Sequence, residues 1–233
     1  AASADGTAGS AAPLIEGNRI NGNGRGIVLV AGGDTTQNNA MLLTATIRNT
    51  IVANSLHEGI IGVNLGGAWQ SSPQLQVVAV NTLVADNGGD GINLTGPGGP
   101  VGTTLRNLTV ANNTTTGIFI DSGVSPTISN TIVWNNGQAL SGVAEAAVSY
   151  SDVSAGITPG SNGNQTIDPV FVEPTAGDYR LAASSPLIDG GTNVDVETVD
   201  LDGLPRTVDG NGDNNAICDM GAYELPFRIS AGG

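Results

Sequence analysis

The sequence predicts an all-β fold of one domain, a parallel β-helix (β-solenoid) closed by a C-terminal capping segment. Two observations predict the solenoid: one short unit recurs along the first part of the chain, and its apolar residues alternate as in a strand. The unit is clearest at residues 46–54, returns with few changes at 78–86, 105–112 and 128–135, and has a weaker version at 17–23. Five such units at uneven spacing indicate a repeat architecture.

Each unit has the pattern of a strand that ends in a turn. In the second unit Ile47 and Ile51 fall on one face and Arg48 on the other, which is a period of two residues and not of a helix. The units are rich in Ile, Val and Thr, which favour strands, and the turns contain Asn or Gly, which tolerate a left-handed backbone. A unit of roughly 20–30 residues built in this way corresponds to one coil of a β-solenoid.

An asparagine stands at the same position in every unit, so stacked coils would place these residues in one row. The row is Asn18, Asn49, Asn81, Asn107 and Asn130. An amide side chain can donate to the coil on one side and accept from the coil on the other, which predicts a hydrogen-bonded ladder. The same asparagines could instead serve only as turn formers, and both interpretations give the same fold.

A hydrophobic row is expected beside this ladder. Its members are Ile20, Ile51, Leu83 and Ile132. Thr109 interrupts the row in the fourth unit. We therefore expect a local register shift in that coil, with Leu108 or Val110 compensating.

The chain divides into three parts: an N-terminal extension at 1–13, the β-helix coils at 14–142, and the last coil or coils with a C-terminal cap at 143–233. The first coil of a solenoid has an open row of backbone donors and acceptors. We expect either that residues 1–13 fold over this edge or that another copy of the chain stacks on it. The opening residues resemble a mature end after cleavage, or a fragment of a longer chain.

Composition limits the partners that this chain can have. The net charge is −14, the pI is near 4.1 and there is no lysine, which argues against nucleic acid and anionic lipid. No run of 18 apolar residues is present, so we expect no membrane span. Cys218 is the only cysteine and is expected to be a small buried residue. The acidic, lysine-free composition with many Thr, Asn and Gly residues predicts an extracellular or cell-surface protein.

One loop has a pattern that could bind calcium. Asp209, Asn211 and Asp213 alternate with glycines, which is how a loop wraps a hard cation, and Asp200 and Asp202 could complete the site. The spacing is not that of an EF-hand. The alternative is an acidic turn that is simply solvated.

Few residues suggest catalysis. His57 and Glu58 are adjacent and could act as acid and base, although we expect this pair to be inert. Trp69 lies in a long loop and could stack on a sugar or pack on its own loop. These three residues are the candidates for a carbohydrate-active enzyme or a glycan-binding module.

The region after residue 143 contains a series of recognisable motifs. They are YSDV at 150–153, DPVF at 168–171, GDYRL at 177–181, SSPLIDGG at 184–191, DLDGLPR at 200–206 and DMGAYE at 219–224. This order resembles the C-terminal signature of right-handed parallel β-helix proteins of bacterial surfaces, the pectin-lyase-like solenoids that carry a segment of the choice-of-anchor Q kind. The resemblance implies the fold and its handedness. It leaves the function open, since such folds include lyases, hydrolases, epimerases, adhesins and structural proteins.

An arginine in this region is expected to hold the cap in place. Arg206 is near several acidic residues in the sequence and offers a bidentate donor to their carboxylates. The acidic residues are Asp189, Asp202, Asp219 and Glu224. We expect this role rather than a catalytic one.

These observations together predict an extracellular, non-enzymatic structural or adhesive solenoid that assembles end to end into filaments. The alternatives are a polysaccharide lyase or hydrolase and a passive glycan-binding module. The sequence indicates no cofactor apart from calcium, which is the one candidate ion.

Overall fold

The structure is a computed structural model that describes residues 10–32, 42–65, 74–96, 102–121 and 126–226. The strands in these ranges are β1 (Ser10–Ala11), β2 (Leu14–Glu16), β3 (Arg19–Asn21), β4 (Ile27–Ala31), β5 (Leu42–Arg48), β6 (Ile51–Ala53), β7 (Ile60–Asn64), β8 (Gln74–Ala85), β9 (Ile92–Thr95), β10 (Thr104–Ala111), β11 (Thr116–Ile120), β12 (Thr127–Ser129), β13 (Ile132–Trp134), β14 (Gln138–Ser141), β15 (Val148–Ser149), β16 (Asp152–Val153), β17 (Phe171–Glu173) and β18 (Asp178–Leu181). Short 3₁₀ helices lie at Glu145–Ala147, Ser161–Gly163 and Pro174–Ala176.

The strands before β17 pair in parallel, coil on coil. One sheet has the order β1-β5-β8-β10-β12-β15, and β3, β6, β13 and β16 extend it around a bend. A second sheet has the order β14-β11-β9-β7-β4. The coils as far as the one that contains β14 contribute strands to both sheets, and the described part of the next coil contributes β15 and β16 to the first sheet. The predicted parallel β-helix is confirmed. Only β17 and β18 pair antiparallel among the named strands in the described part of the chain.

The core fills the tube between the two sheets. One interior row is Ile47, Ala79, Leu105, Ile128 and Val148, and the next is Val52, Val84, Val110, Val133 and Val153, all fully buried. Every second side chain points inward because the strand period is two. Burial of branched side chains by the coils above and below stabilises the stack.

Each coil bends at two corners, and the residue at each corner has a left-handed backbone. At the first corner Asn49, Asn81, Asn107 and Asn130 have φ between 46° and 53°. The predicted ladder is largely wrong, since the only amide-to-amide bond in this row runs from Asn81 to Asn49 over 3.3 Å. These residues are turn formers, as the alternative interpretation held, because Asn accepts positive φ more readily than most residues do.

The first member of the predicted row was misplaced by one residue. Glu16 pairs with Arg48, so Gly17 lies opposite Asn49 and Asn18 lies opposite Thr50. Gly17 has a φ of 66°, which is the corner conformation. The weak first repeat therefore aligns on its glycine and not on its asparagine.

A continuous amide ladder does exist, one residue beyond the second corner. Asn87 Nδ2 donates to Asn113 Oδ1 over 2.8 Å, and Asn113 Nδ2 donates to Asn136 Oδ1 over 2.9 Å. Asn87 Oδ1 accepts the backbone N–H of Ser55, which extends the ladder by one coil. Asn87 and Asn113 are almost fully buried. The sequence signal for it is the second residue of the pairs Asp86-Asn87, Asn112-Asn113 and Asn135-Asn136.

The predicted register shift at Thr109 is also wrong. Thr109 pairs in register with Leu83 on one side and with Ile132 on the other. Ile51 continues the row, which faces outward, whereas Ile20 lies opposite Val52 and faces the core. The threonine has a structural purpose, because its hydroxyl accepts a hydrogen bond of 3.0 Å from the backbone of Ala222.

The C-terminal segment, residues 166–226, lies along the side of the coils, where it covers that outward row. It forms two further apolar clusters with the coils. One contains Leu83, Ala85, Ala111, Tyr179, Ala222 and Tyr223, and the other contains Ile132, Leu181, Leu187, Ile188, Met220 and Leu225. The capping segment is thus a lateral cover that gives the β-helix a second core outside the tube.

Candidate functional site

A cleft of about 780 Å³ lies between the β17–β18 hairpin and the second corners of the coils. The second-corner row, as we name it, consists of Gly22, Asn54, Asp86, Asn112 and Asn135, each with positive φ. The floor of the cleft is apolar and includes Ile51 and Leu83. Its volume is in the range of roughly 300–1,000 Å³ that is usual for ligand pockets. We call it the corner cleft.

Tyr179 forms the inner end of the corner cleft by inserting its hydroxyl into the second-corner row. The hydroxyl donates to Asp86 Oδ1 over 2.7 Å and accepts from Asn112 Nδ2 over 2.7 Å. The ring is buried and packs edge-on against Phe171, with 5.2 Å between ring centroids. Burial and the hydrogen bond to Asp86 raise the pKa of Tyr179 far above its ordinary value, so the hydroxyl keeps its proton.

Arg180 lines the outer wall of the cleft. Its guanidinium binds Asp202 over 2.6 Å and Asp178 over 3.0 Å, and its carbon lies 5.1 Å from the ring centre of Tyr223. The hydrogen bond with Asp202 is the main cause that raises the pKa of Arg180 above its ordinary value. One cation therefore compensates two carboxylates, and the group is a structural clamp between β18 and the loop at residue 202.

The end of the cleft near the first coil is open and polar. Asn54 Nδ2 donates to Asn21 Oδ1 over 2.7 Å, and both side chains are exposed. Arg19 lies beside them, exposed. Among the arginines at described positions, Arg19 alone has no ion pair with a described residue. Amide donors and acceptors and a guanidinium donor thus face the solvent at this end of the cleft.

Arg206 has the structural role that the sequence predicted, with a different set of partners. It is fully buried, and Nη2 donates to Asn81 Oδ1 over 2.7 Å and to the Gly221 carbonyl over 3.0 Å. Among carboxylates it pairs with Glu224 at 3.5 Å, whereas Asp202 binds Arg180. The expectation that Asp202 would contact Arg206 is therefore wrong, because β18 brings its own arginine to that aspartate.

A buried acidic group surrounds Arg206. Burial is the largest cause that raises the pKa values of Asp200, Asp219 and Glu224 above their ordinary values. Asp200 accepts the backbone N–H groups of Leu204 and Glu224, and Asp219 accepts those of Asp189 and Leu225. The carboxylates thus organise the irregular backbone of the C-terminal segment.

The oxygens of the residues proposed for calcium accept hydrogen bonds from the protein, although Asn211 and Asp213 contact each other within their loop. Asp209 accepts backbone N–H groups of its own loop, and Asn211 and Asp213 do the same. Asp200 is committed to Leu204 and Glu224, and Asp202 to Arg180. Within the described ranges no group of three or more His, Cys, Asp or Glu side chains is arranged to hold a metal ion. The loop fits the acidic-turn alternative.

The other predicted candidates lie away from the corner cleft. Glu58 pairs with Arg25 at 2.6 Å rather than with its neighbour His57, which is exposed. Trp69 lies outside the described residues. Cys218 is buried as expected, and burial raises the pKa of its thiol to about 12.

Sequence reasoning missed the residues that form the corner cleft. Tyr179 was seen as part of the GDYRL motif, but its partners are more than 60 residues away in sequence. Asp86 is the one acidic member of an otherwise Asn and Gly row, and this departure was the available signal. Arg19 carried no signal of its own.

Comparison with known proteins gives the same fold. The sequence matches the family described as the right-handed β-helix region over residues 6–167, more than half of the chain. A comparison with curated proteins gives no match. In the described ranges no helix has the length and apolar character needed to cross a bilayer. The chain therefore belongs to the right-handed β-helix family.

Proposed function

We propose that this protein is an extracellular, non-enzymatic structural or adhesive β-solenoid. The observation that carries the proposal is the use of its charged side chains. Five of the arginines at described positions pair with carboxylates: three of them join two coils or a coil and the lateral segment, and two join parts of the lateral segment to each other. Catalysis of sugar transfer or elimination would need acid and base groups that converge on a substrate.

The surface location rests on composition and on the C-terminal motifs. A lysine-free chain with a net charge of −14 repels nucleic acid and anionic lipid. The motif series from residue 150 to 224 resembles pectin-lyase-like surface proteins of the choice-of-anchor Q kind. The contacts of Tyr179, Arg206 and Gly221 give these motifs a physical purpose, because each of them fastens the lateral segment to the coils.

End-to-end assembly into filaments is part of the proposal. In the described residues the strands of the first coil pair on one side only, and Ile15 and Ile20 are only partly buried at that end. At the other end Val143 and Ile157 pack against the core. We propose that the edge of the first coil is the surface through which copies associate.

An activity assay on a panel of plant and bacterial polysaccharides tests the non-enzymatic proposal. We expect neither new reducing ends nor unsaturated products over the background of a heat-unfolded sample. Robust turnover would overturn the proposal in favour of a lyase or hydrolase. In that case His57→Ala, Glu58→Gln and Trp69→Ala are the first variants to assay.

A passive glycan-binding module is the second candidate, and the corner cleft favours it. The cleft combines an apolar floor with amide and charged groups at the rim, which is the composition of a small-molecule site. Adhesion by this route would need no catalytic group.

A further inference from the structure

We propose that the corner cleft binds a neutral saccharide, whose hydroxyl groups insert between Asn54 and Asp86 as the hydroxyl of Tyr179 inserts between Asp86 and Asn112. This proposal rests on the adhesive function above and names its ligand class. It differs from the sequence-based candidates at described positions, since neither His57 nor Glu58 lines the cleft.

The protein itself shows how the second-corner row holds a hydroxyl group. Asp86 accepts a hydrogen bond from the Tyr179 hydroxyl, and Asn112 donates one to its oxygen, both over 2.7 Å. The hydroxyl is thus held between an acceptor on one coil and a donor on the next. Coils repeat at about 4.8 Å, the spacing of neighbouring strands. A hydroxyl fits between successive coils where the row offers a donor and an acceptor that do not bond to each other directly, as Asn135 and Asn112 do.

The next gap in the row, one coil nearer the N-terminus, offers the same chemistry. Its two sides are Asn54 and Asp86, which both line the corner cleft. Asn54 is exposed and has an amide that can donate and accept, and Asp86 has a second carboxylate oxygen besides the one that faces Tyr179. The β17–β18 hairpin supplies one tyrosine, and that tyrosine occupies the gap between Asp86 and Asn112.

Neighbouring groups extend this hydroxyl-binding chemistry. Asn21 is joined to Asn54, and Arg19 adds guanidinium donors without an ion pair in the described ranges. Across the cleft Thr175, Ala176 and Gly177 are small and exposed, so the wall leaves room for a ring. Ile51 provides apolar surface for the C–H face of a sugar.

The charges of the cleft favour a neutral ligand. Arg180 pairs with both Asp178 and Asp202 but offsets only one of their two charges, and Arg19 and Asp86 add one charge of each sign, so the lining of the cleft is net negative. An anionic sugar would meet three carboxylates and the field of a protein with a net charge of −14. A polyol with no charge satisfies the donors and acceptors without that repulsion.

Calorimetric titration of the full chain with neutral oligosaccharides of gluco, galacto and manno configuration tests the proposal. Asn54→Gly removes the side chain and keeps the left-handed backbone, since glycine accepts positive φ. Arg19→Gln removes the charge and the guanidinium donors and keeps a polar side chain. We expect each variant to weaken binding about tenfold, the loss of one or two hydrogen bonds. Asn135→Gly is the matched control, because it makes the same change in the same row outside the cleft, and it should bind as the parent does.

Three results would overturn the proposal. They are no saturable binding of any neutral oligosaccharide, binding that Asn54→Gly and Arg19→Gln leave unchanged, and tighter binding of uronate oligomers. If Trp69→Ala lost binding while Asn54→Gly and Arg19→Gln bound as the parent does, the saccharide would bind at Trp69 and not in the corner cleft. Turnover of the bound saccharide would contradict the non-enzymatic function but not the binding site in the cleft. The failure of the proposed function can therefore be distinguished from the failure of the proposed site.

Discussion

Nη2 of Arg206 lies 2.7 Å from Oδ1 of Asn81, a first-corner residue 125 positions earlier in the chain. The guanidinium is fully buried and also binds the carbonyls of Gly221 and Tyr223. One arginine thus joins a corner of the third coil to two turns of the lateral segment.

Loss of the Arg206 side chain should destabilise the whole protein. Arg206→Met leaves Glu224 buried without its cation and leaves two carbonyls without a donor. Removal of one partner of a buried ion pair costs about 3–5 kcal/mol. Urea unfolding followed by circular dichroism measures the change. The control is Arg48→Gln, an exposed arginine paired with Glu16, which should have little effect; equal losses in both variants would contradict the attachment.

The hydroxyl of Thr109 should stabilise the folded protein, although the residue lies in a row of apolar side chains. Thr109→Val restores a continuous hydrophobic row, but it leaves the buried N–H of Ala222 without an acceptor. An unsatisfied buried donor costs about 1–3 kcal/mol, so the variant should be less stable. The same exchange at Thr46, on the outward face of β5, is the control. A more stable Thr109→Val protein would show that the lateral segment is not held at this point.

The stability of the protein should fall as the pH rises through the range set by Asp152. This side chain is fully buried, and burial raises its pKa from 3.8 to about 7. Oδ1 accepts the Ile167 N–H, and Oδ2 has no partner in the described ranges. Between pH 3.8 and about 7 the folded state binds more protons than the unfolded state, so unfolding becomes easier as the pH increases.

Asp152→Asn should remove this dependence. Because the amide does not ionise, the variant should gain stability relative to the parent as pH rises, up to roughly 4 kcal/mol by pH 8. Melting temperatures from pH 4 to 8 measure the difference. Asp195→Asn, at an exposed left-handed position, is the control and should follow the parent. Parallel curves for the parent and Asp152→Asn would contradict this account of Asp152.

The buried amide ladder should be essential to the coils around it. Asn113→Ala removes the acceptor of the Asn87 amide and backbone N–H groups and the donor to the Val84 carbonyl and the Asn136 amide. The loss of these four hydrogen bonds costs about 2–4 kcal/mol, which urea unfolding would detect. The control is Asn135→Ala, which removes an exposed amide one residue from the ladder and should cost less stability. Because alanine is also strained at the positive φ of this position, Asn135→Gly separates the loss of the amide from the backbone strain.

The coils could be predicted from the sequence because their signal is local. Leu43, Ala45 and Ile47 alternate with outward-facing residues along β5 and enter the core, and Asn49 marks the corner through its own backbone preference. The expectation that Ile51 shares the face of Ile47 is wrong, because Ile51 follows the corner and packs against the outer cluster that contains Leu83. The ladder was assigned to the wrong asparagines because both residues of a corner pair are amides, and only the register of the stacked coils shows which one points inward.

The lateral segment and the corner cleft could not be predicted in the same way. Tyr179 reaches Asp86, and Arg206 reaches Asn81, across about 90 to 125 residues. These contacts join the irregular lateral segment to the coil corners, so the repeat pattern of the coils does not indicate them. Thr109 shows the difference most clearly. In the sequence it is a polar residue that interrupts the hydrophobic row, whereas in the structure its hydroxyl binds Ala222 of the lateral segment.

Amide hydrogen exchange followed by mass spectrometry on the full chain tests the central claim most directly, since the corner cleft exists only while the lateral segment stays docked. The account predicts that the amides of Ala222 and Leu225, which donate to Thr109 and Asp219, exchange as slowly as those of β8 and β10. Exchange of residues 171–226 as an independent, rapidly opening unit, with the coils still protected, would contradict it.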